Sequence, residues 1–333
     1  LGATLVLATG VDLMLTVLHP TREGPLSRLA IRATWGTVRR AAVSTRIGRL
    51  MNYAGPLAMA CQFATWVLGM WVGFALVYSG HVDSLSFASG TEFGTRDLLD
   101  ALYLSAVALT TVGFGDVVAA TDGLRLVTVL EAASGLAVIT GAITYLLSVY
   151  PLVSQVRVAA RSVAPAAPGD QAAHEFVTGG GHSELAALRR DLIQIDEDTQ
   201  RFPVLYYFHS EDPSASLQTL IRASSLVTMQ LRWGARRWDL EIAWYGAALE
   251  SALASLIESY RDSFMKGVAA PEVREPADER AFARLERLRA SAGEAPSSEL
   301  EPGEVAAFAT FRGRSERFLA DLAERHAYRY EPL

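Results

Sequence analysis

Lysine and cysteine are almost absent from this 333-residue chain: Lys266 is the one lysine among 30 basic residues, and Cys61 is the one cysteine. A single thiol excludes an intramolecular disulfide and every multi-cysteine zinc or iron–sulfur site. Cys61 lies in an apolar run, where a packed thiol is expected rather than a reactive one. Charge is scarce as well, at 20% of residues, where soluble domains run near a quarter. Half the chain is hydrophobic and the mean hydropathy is +0.20. The scarcity is local. Residues 1–150 hold nine Lys/Arg and nine Asp/Glu, so the net charge of −6 comes entirely from residues 151–333. A greasy, neutral half precedes an acidic, water-compatible half, which argues against an all-soluble globular protein. No basic domain is present, so no nucleic-acid partner is expected. Arginine and alanine richness points to a GC-rich, bacterial coding sequence.

The long apolar runs predict membrane helices. No charged residue occurs between Arg49 and Asp83, and Pro56–Tyr78 supplies about the 20 apolar residues needed to cross a ~30 Å hydrocarbon core. Trp66, Trp71 and Tyr78 are placed as interfacial anchors. A second span is predicted from Leu124 to Tyr150, interrupted near its start by Arg125 and Glu131. Leu1–Leu18 is a third, shorter candidate that carries Asp12 and is closed by Pro20. It lacks the basic start and small-residue cleavage site of a signal peptide, so an N-terminal membrane helix is expected over residues 1–19.

Charge in the connections sets the expected orientation. Residues 20–50 hold Arg22, Arg28, Arg32, Arg39, Arg40, Arg46 and Arg49 against one acid, Glu23. The connection after the first long span holds Asp83, Glu92, Asp97 and Asp100 against Arg96. The positive-inside rule then places 20–50 in the cytoplasm, 79–123 outside, and the C-terminal half in the cytoplasm behind Arg157 and Arg161. The arginines have two readings, a topology signal or a cuff on anionic headgroups, and the first is favoured. They do not form a voltage sensor, which needs regularly spaced arginines within a spanning helix.

Between the two long spans, Asp97–Thr110 is apolar and helical in pattern but too short to cross at ~1.5 Å per residue. A re-entrant helix is expected, capped by Thr95 or Asp97. Thr111-Val112-Gly113-Phe114-Gly115-Asp116 follows. A dehydrating cation needs oxygen ligands in place of water, and an extended backbone offers a carbonyl at every residue. Gly113 and Gly115 supply the dihedral freedom for those carbonyls to face one axis. Val112 and Phe114 alternate with them as outward packing, and Thr111 adds a hydroxyl at the inner end. Irregular backbone at membrane depth is tolerated only where protein buries it or a water-filled pore adjoins it.

Thr110–Asp116 matches T-T-V-G-[YF]-G-D at every position, and here the chain resembles the potassium channel family, with one pore loop between two transmembrane helices over roughly residues 53–150. The resemblance implies four subunits around one pore, a homotetramer, because the chain carries a single filter segment. It further implies potassium sites at the backbone carbonyls of Thr111, Val112, Gly113 and Phe114, with Gly115 completing the filter and Asp116 at the outer mouth. Two departures stand beside it. Val107 occupies a position where some members have a glutamate, and Tyr103 and Leu104 replace frequent tryptophans, so filter stability and inactivation do not transfer while selectivity does.

In the inner helix, Gly135 is implied as a gating hinge, with close helix packing as the equal alternative. Glu131 is expected to face protein or water, either bonding behind the filter, lining the vestibule or lying near the outer interface. Leu146 and Tyr150 are candidates for the inner constriction.

The remainder reads as helical. Ser162–Ser183, rich in Ala, Pro and Gly, is expected as part of a linker over 151–183. Helices are predicted over Glu184–Thr199, Ser216–Leu231, Asp239–Phe264, Ala277–Ala290 and Glu304–Tyr328, within a cytoplasmic domain 184–333. Phe202–Phe208 is an apolar knot that must be buried. No dinucleotide fingerprint or calcium loop occurs. The histidines lack metal-ligand spacing, Asp196-Glu197-Asp198 reads as a solvated helix end, and the arginines at 232, 236 and 237 beside Trp233 and Trp238 read as an amphipathic surface. No nucleophile–base pair stands out, so no enzymatic activity and no cofactor are expected, and no regulatory ligand is named.

The expectation is an all-α membrane protein. It has two spanning helices around a re-entrant pore helix and filter (51–150), an N-terminal membrane helix, a basic loop at 20–50 and a helical cytoplasmic domain. The function expected is passive potassium conduction across the cell membrane. A poorly selective cation channel and a membrane-anchored sensor with a vestigial pore are the alternatives.

Overall fold

The computed structural model describes residues 1–19, 23–45, 47–87, 97–234, 240–265, 279–293, 302–326, 330 and 333. Thr95, one of the two expected caps, and Arg236, Arg237 and Trp238 of the tryptophan–arginine cluster lie outside the described residues. The chain is helical almost throughout, with two short strands, and divides into two compact units.

The first unit comprises Leu1–Thr37, Ala54–Tyr150 and Arg201–Tyr207. It holds α1 (Gly2–Leu18), the start of α2 (Pro25–Thr45), α3 (Ala54–Ser79), α4 (Leu98–Leu109) and most of the inner helix α5 (Asp122–Val163). Two stretches, Gly48–Ser79 and Asp122–Ala166, are long and apolar enough to cross a membrane. Along α5, Leu126, Val129, Leu130, Leu136, Ile139, Ile143 and Leu147 form an exposed apolar stripe at helical spacing, the surface expected of a helix facing lipid or another copy rather than water.

α1 packs antiparallel on α3 through small residues. A Cβ on Gly69 would lie 2.4 Å from the Thr9 hydroxyl, and one on Gly73 would lie 2.7 Å from a Val6 methyl. Gly69 and Gly73 are four apart, the small-xxx-small spacing that lets two membrane helices approach backbone to backbone. Asp12, the one charge in α1, is buried and fully employed. Its carboxylate accepts from the Leu26 and Ser27 amides, the Ser27 hydroxyl and the Trp66 indole, the last at 3.0 Å. Asp12 thereby caps the N-terminus of α2 from a neighbouring helix, satisfying amides that have no intrahelical partner.

The apolar knot is buried as expected. Phe202 meets Tyr145 at 5.6 Å between ring centroids, and Tyr206 and Tyr207 stack around Trp35.

The second unit comprises Val38–Tyr53, Pro151–Gln200 and Phe208–Leu333. It contains α6 (Asp170–Arg201, apart from its last residue), α7 (Leu217–Met229), α8 (Leu240–Phe264), α9 (Glu279–Ser291) and α10 (Pro302–His326). α7 is buried on nearly every side and continues into a π-helical turn, Gln230–Gly234. Its buried residues include the small polar Ser224, Ser225 and Thr228 beside Leu220, Ile221, Leu226 and Val227, so small side chains let it pack closely on its neighbours. Trp233 packs edge-on against Phe308, and Tyr260 against Phe318 while bonding Thr199 at 2.9 Å. Asp170–Arg284 and Arg289–Glu304 ion pairs tie α6 to α9 and α9 to α10.

One expectation differs in form. The inner helix does not stop at Tyr150 but runs through Pro151 to Val163, and most of the predicted linker is helical. The helix breaks at a short turn around Pro165, Pro168 and Gly169 and again at Gly181, whose φ of 63° and ψ of −168° are non-helical and separate α6 into two helical pieces. Proline removes one helical hydrogen bond, which the remaining ladder of a long helix tolerates, and three glycines lower helix propensity without forbidding it.

Candidate functional site

The segment 98–116 is organised by its first and last residues. Asp97 caps α4: its side chain accepts from the Leu99 amide at 2.8 Å, and Asp100 bonds back to the Asp97 amide. α4 is 12 residues long, about 18 Å at the helical rise, so it ends well short of a full crossing. After Leu109 the backbone turns back on the helix. The Val107 carbonyl accepts from the amides of both Val112, at 3.1 Å, and Gly113, at 3.4 Å.

Those two bonds orient the segment. In a trans peptide the carbonyl points opposite to the amide N–H of the same plane, and no cis bond occurs among the described residues. With the Val112 and Gly113 amides directed at Val107, the carbonyls of Thr111 and Val112 must both point away from α4. In an ordinary strand, successive carbonyls would alternate sides. The dihedrals show how the alternation is cancelled: Thr111, Gly113 and Gly115 have φ of 59°, 62° and 79°, while Val112 and Phe114 between them do not have positive φ. Every second residue in the left-handed region turns every second peptide plane over, and the oxygens gather on one side.

Gly113 and Gly115 take that conformation without penalty. Thr111 does not. It is the one non-glycine with positive φ among the described residues, and a β-branched side chain there is a genuine outlier. Strain of this kind, of order 1–3 kcal/mol, persists where surrounding structure imposes it and concentrates at functional sites. A Cβ on Gly113 or Gly115 would meet open space, so it is the backbone conformation and not crowding that selects glycine.

Val112 and Phe114 are 54% and 70% exposed within one chain. Among the described residues, their own chain leaves about half of Val112 and most of Phe114 uncovered.

Asp116 follows the segment and is held by α4: the Tyr103 hydroxyl donates to its carboxylate at 2.6 Å, and its other oxygen accepts from the Val117 amide at 3.0 Å. The Tyr103 bond, followed by the backbone donors, holds the Asp116 carboxyl below its ordinary value. Beyond it, β2 (Val117–Ala119) pairs antiparallel with β1 (Leu85–Phe87), Ser86 opposite Val118. This ribbon, which the sequence reading does not anticipate, pins the chain leaving the filter to the chain leaving α3.

Behind α4 lies Glu131. It is fully buried and accepts from the Ser105 hydroxyl of α4 at 2.5 Å and the Tyr78 hydroxyl of α3 at 2.7 Å. Ser105 sits 2.9 Å from the Trp71 carbonyl, and the Trp71 indole donates to the Leu102 carbonyl at 2.9 Å. Glu131 therefore faces protein, bonded to α4 and α3, and not the surface of the chain. One carboxylate thus joins outer helix, pore helix and inner helix.

Gly135 lies one turn further along α5, and a Cβ there would stand 1.9 Å from the Leu109 carbonyl oxygen. The inner helix touches the end of α4 backbone to backbone. α5 passes through Gly135 without interruption, so close packing is the role visible here. Leu146 and Tyr150 are exposed, whereas Tyr145, next to Leu146 in the chain, is buried. Sequence reasoning missed Tyr103, Ser105 and Tyr78 as partners. Their hydroxyls lie on helices otherwise apolar on that face, the one signal available beforehand.

Residues 63–150 match the family described as "Ion channel". The chain is also 31% identical over 216 residues to the "Uncharacterized membrane protein YdjJ" of Bacillus subtilis (strain 168), covering 63% of this chain and 62% of that protein. The chain thus spans less than two thirds of that relative's length. No solved structure matches. The half-length helix, the turned-back segment after it and most of the two flanking apolar helices lie where that match falls, so residues 63–150 are similar to that ion channel family.

Proposed function

We propose that this chain is one subunit of a potassium-selective channel that conducts passively through the backbone carbonyls of Thr111, Val112, Gly113 and Phe114. One observation carries the reading: alternate residues from Thr111 to Gly115 hold positive φ, strained at Thr111, and the Val107 carbonyl anchors the amides behind them. That arrangement presents oxygens to one side with no side chain in the way, the requirement for replacing an ion's hydration shell. A single strand supplies one quarter of a ring. Four copies about one axis complete it and cover Val112 and Phe114, which supports a homotetramer.

In this reading the arginine-rich 20–50 connection and residues 151–333 face the cytoplasm, and Asp116 with the β1–β2 ribbon faces outward. α1 is a further membrane helix packed outside α3, and Gly135 is the point on α5 where bending would part the inner helix from α4. The helical second unit assembles the tetramer or biases the inner helices between states, which a ligand can do only by differential affinity.

The experiment is flux from proteoliposomes loaded with potassium or sodium. The reading predicts potassium efflux that Gly113→Ala abolishes. Equal sodium efflux indicates a general cation channel, and no efflux from well-folded tetramers indicates a vestigial pore.

A further inference from the structure

The connection into α2 buries a carboxylate that the pore does not use. The Glu23 side chain is 6% exposed, its Oε2 lies 3.9 Å from the Arg28 Nε, too far for a hydrogen bond, and its Oε1 has no hydrogen-bond partner among the described residues. Every element around it contributes a polar or charged group. Arg28 and Arg32 of α2 and Asp12 of α1 act on Glu23. Tyr145 of α5 and Tyr207 of the Pro203–Tyr207 turn lie within its electrostatic reach. Gln62 of α3, fully buried, stands beside the Tyr145 hydroxyl, yet neither its amide atoms nor that hydroxyl makes a well-formed hydrogen bond among the described residues. Tyr145 itself is wedged between Phe63 and Phe202. It lies ten residues beyond Gly135, about 15 Å down α5.

Burial is the main influence on Glu23 and raises its carboxyl from 4.5 to about 7, with Arg28 and Arg32 pulling it down and Asp12 pushing it up. The sign follows from linkage. An acid raised in the buried conformer binds its proton more tightly there than when hydrated. Acid therefore favours the conformer described here, and the advantage falls by up to tenfold per pH unit as pH rises from the ordinary glutamate value to about 7. An ionised Glu23 must gain water or draw Arg28 or Arg32 closer. Either change alters the field at the buried Tyr145 hydroxyl, beside which Gln62 stands, and neither side chain makes a well-formed hydrogen bond among the described residues.

We propose that Glu23 is a proton-binding site which, through Tyr145, makes the inner helix respond to the pH on the side of the arginine-rich connection. The site is independent of the pore reading; only its effect on flux rests on that reading.

The test uses the full chain in lipid nanodiscs and in proteoliposomes. Melting temperatures are compared for the unmodified protein, Glu23→Gln and Tyr145→Phe at pH 5 and pH 8, each difference being taken at one pH so that other titrating groups cancel. The expected result is that Glu23→Gln melts with the unmodified protein at pH 5 and several degrees above it at pH 8, and that combining it with Tyr145→Phe shrinks the gap. A gap of the same size at both pH values overturns the proton site, and a gap indifferent to Tyr145→Phe overturns the coupling. In flux, a pH step on the arginine-rich side is expected to change the unmodified channel near neutrality and leave Glu23→Gln at its acid level throughout. Equal responses in the two also overturn the coupling. Absence of flux at every pH counts against the pore reading alone, because the melting comparisons still decide the proton site.

Discussion

Gly135 and Leu109 meet at the junction of inner helix and pore helix, with room for a hydrogen and none for a methyl: an added Cβ would stand 1.9 Å from the Leu109 carbonyl oxygen. Leu109 is the last residue of α4, two before Thr111, so on the proposed reading a change at Gly135 is felt at the start of the segment 111–116. Gly135→Ala is expected to displace the end of α4, since backbone cannot yield as a flexible side chain does. Potassium flux should fall at least tenfold while the tetramer still assembles, as read by native mass spectrometry. Unchanged flux would show that the contact opens freely.

Glu131 is a bridge whose worth is set by what its loss strands. Glu131→Ala removes the acceptor that Ser105 and Tyr78 share, leaving them only the Trp71 carbonyl and the Thr128 hydroxyl, and the lost bonds to a charged group are expected to cost about 1.5–3 kcal/mol each. Glu131→Gln keeps an acceptor for one of them and should cost less. Thermal melting in nanodiscs is expected to rank unmodified, then Gln, then Ala. Equal melting of all three would mean that the network is dispensable.

Tyr103 holds Asp116 down. A depressed carboxyl keeps its charge to lower pH than a free one, and removing the hydroxyl lets its value rise. Conductance measured while the filter-side pH is lowered should therefore begin to change at a higher pH in Tyr103→Phe than in the unmodified protein. Superimposable titrations would contradict the bond.

Two histidines of the second unit are held neutral by burial, His326 down to about 3 and His209 to about 4. A buried imidazole lowered in the folded state binds fewer protons than the unfolded chain between those values and about 6.5. Stability is then full above pH 6.5 and is lost as the pH falls through that window. His326→Gln removes one such group. Between pH 7 and 5 the unmodified protein should lose about 2 kcal/mol more than this variant, by urea unfolding of the second unit, since each pH unit is worth about 1.4 kcal/mol. Parallel losses would contradict it.

The membrane half was largely legible because its signals are local. An uncharged run predicts a span wherever it lies, and the filter is a contiguous motif whose glycines announce its dihedrals. What was hidden is pairwise. Asp12 reads as an expensive charge in an apolar helix until Leu26, Ser27 and Trp66 are brought to it. Glu131 reads as an ionisable group with several placements until Ser105 and Tyr78 are brought to it. The linker expectation failed in form for the opposite reason. Alanine, proline and glycine in one window look like a loop by composition, yet the breaking residues act only where they stand, at Pro165, Pro168, Gly169 and Gly181, and helix fills the stretches between. Nothing in the sequence marks Glu23 as buried, because its neighbours come from four separate helices.

The central claim is that the carbonyls of residues 111–114 select potassium. Its most direct test is the reversal potential of the reconstituted chain with potassium on one side of a bilayer and sodium on the other. The account predicts a reversal near the potassium equilibrium potential, with the current lost in Gly113→Ala. A robust current reversing near zero would contradict it.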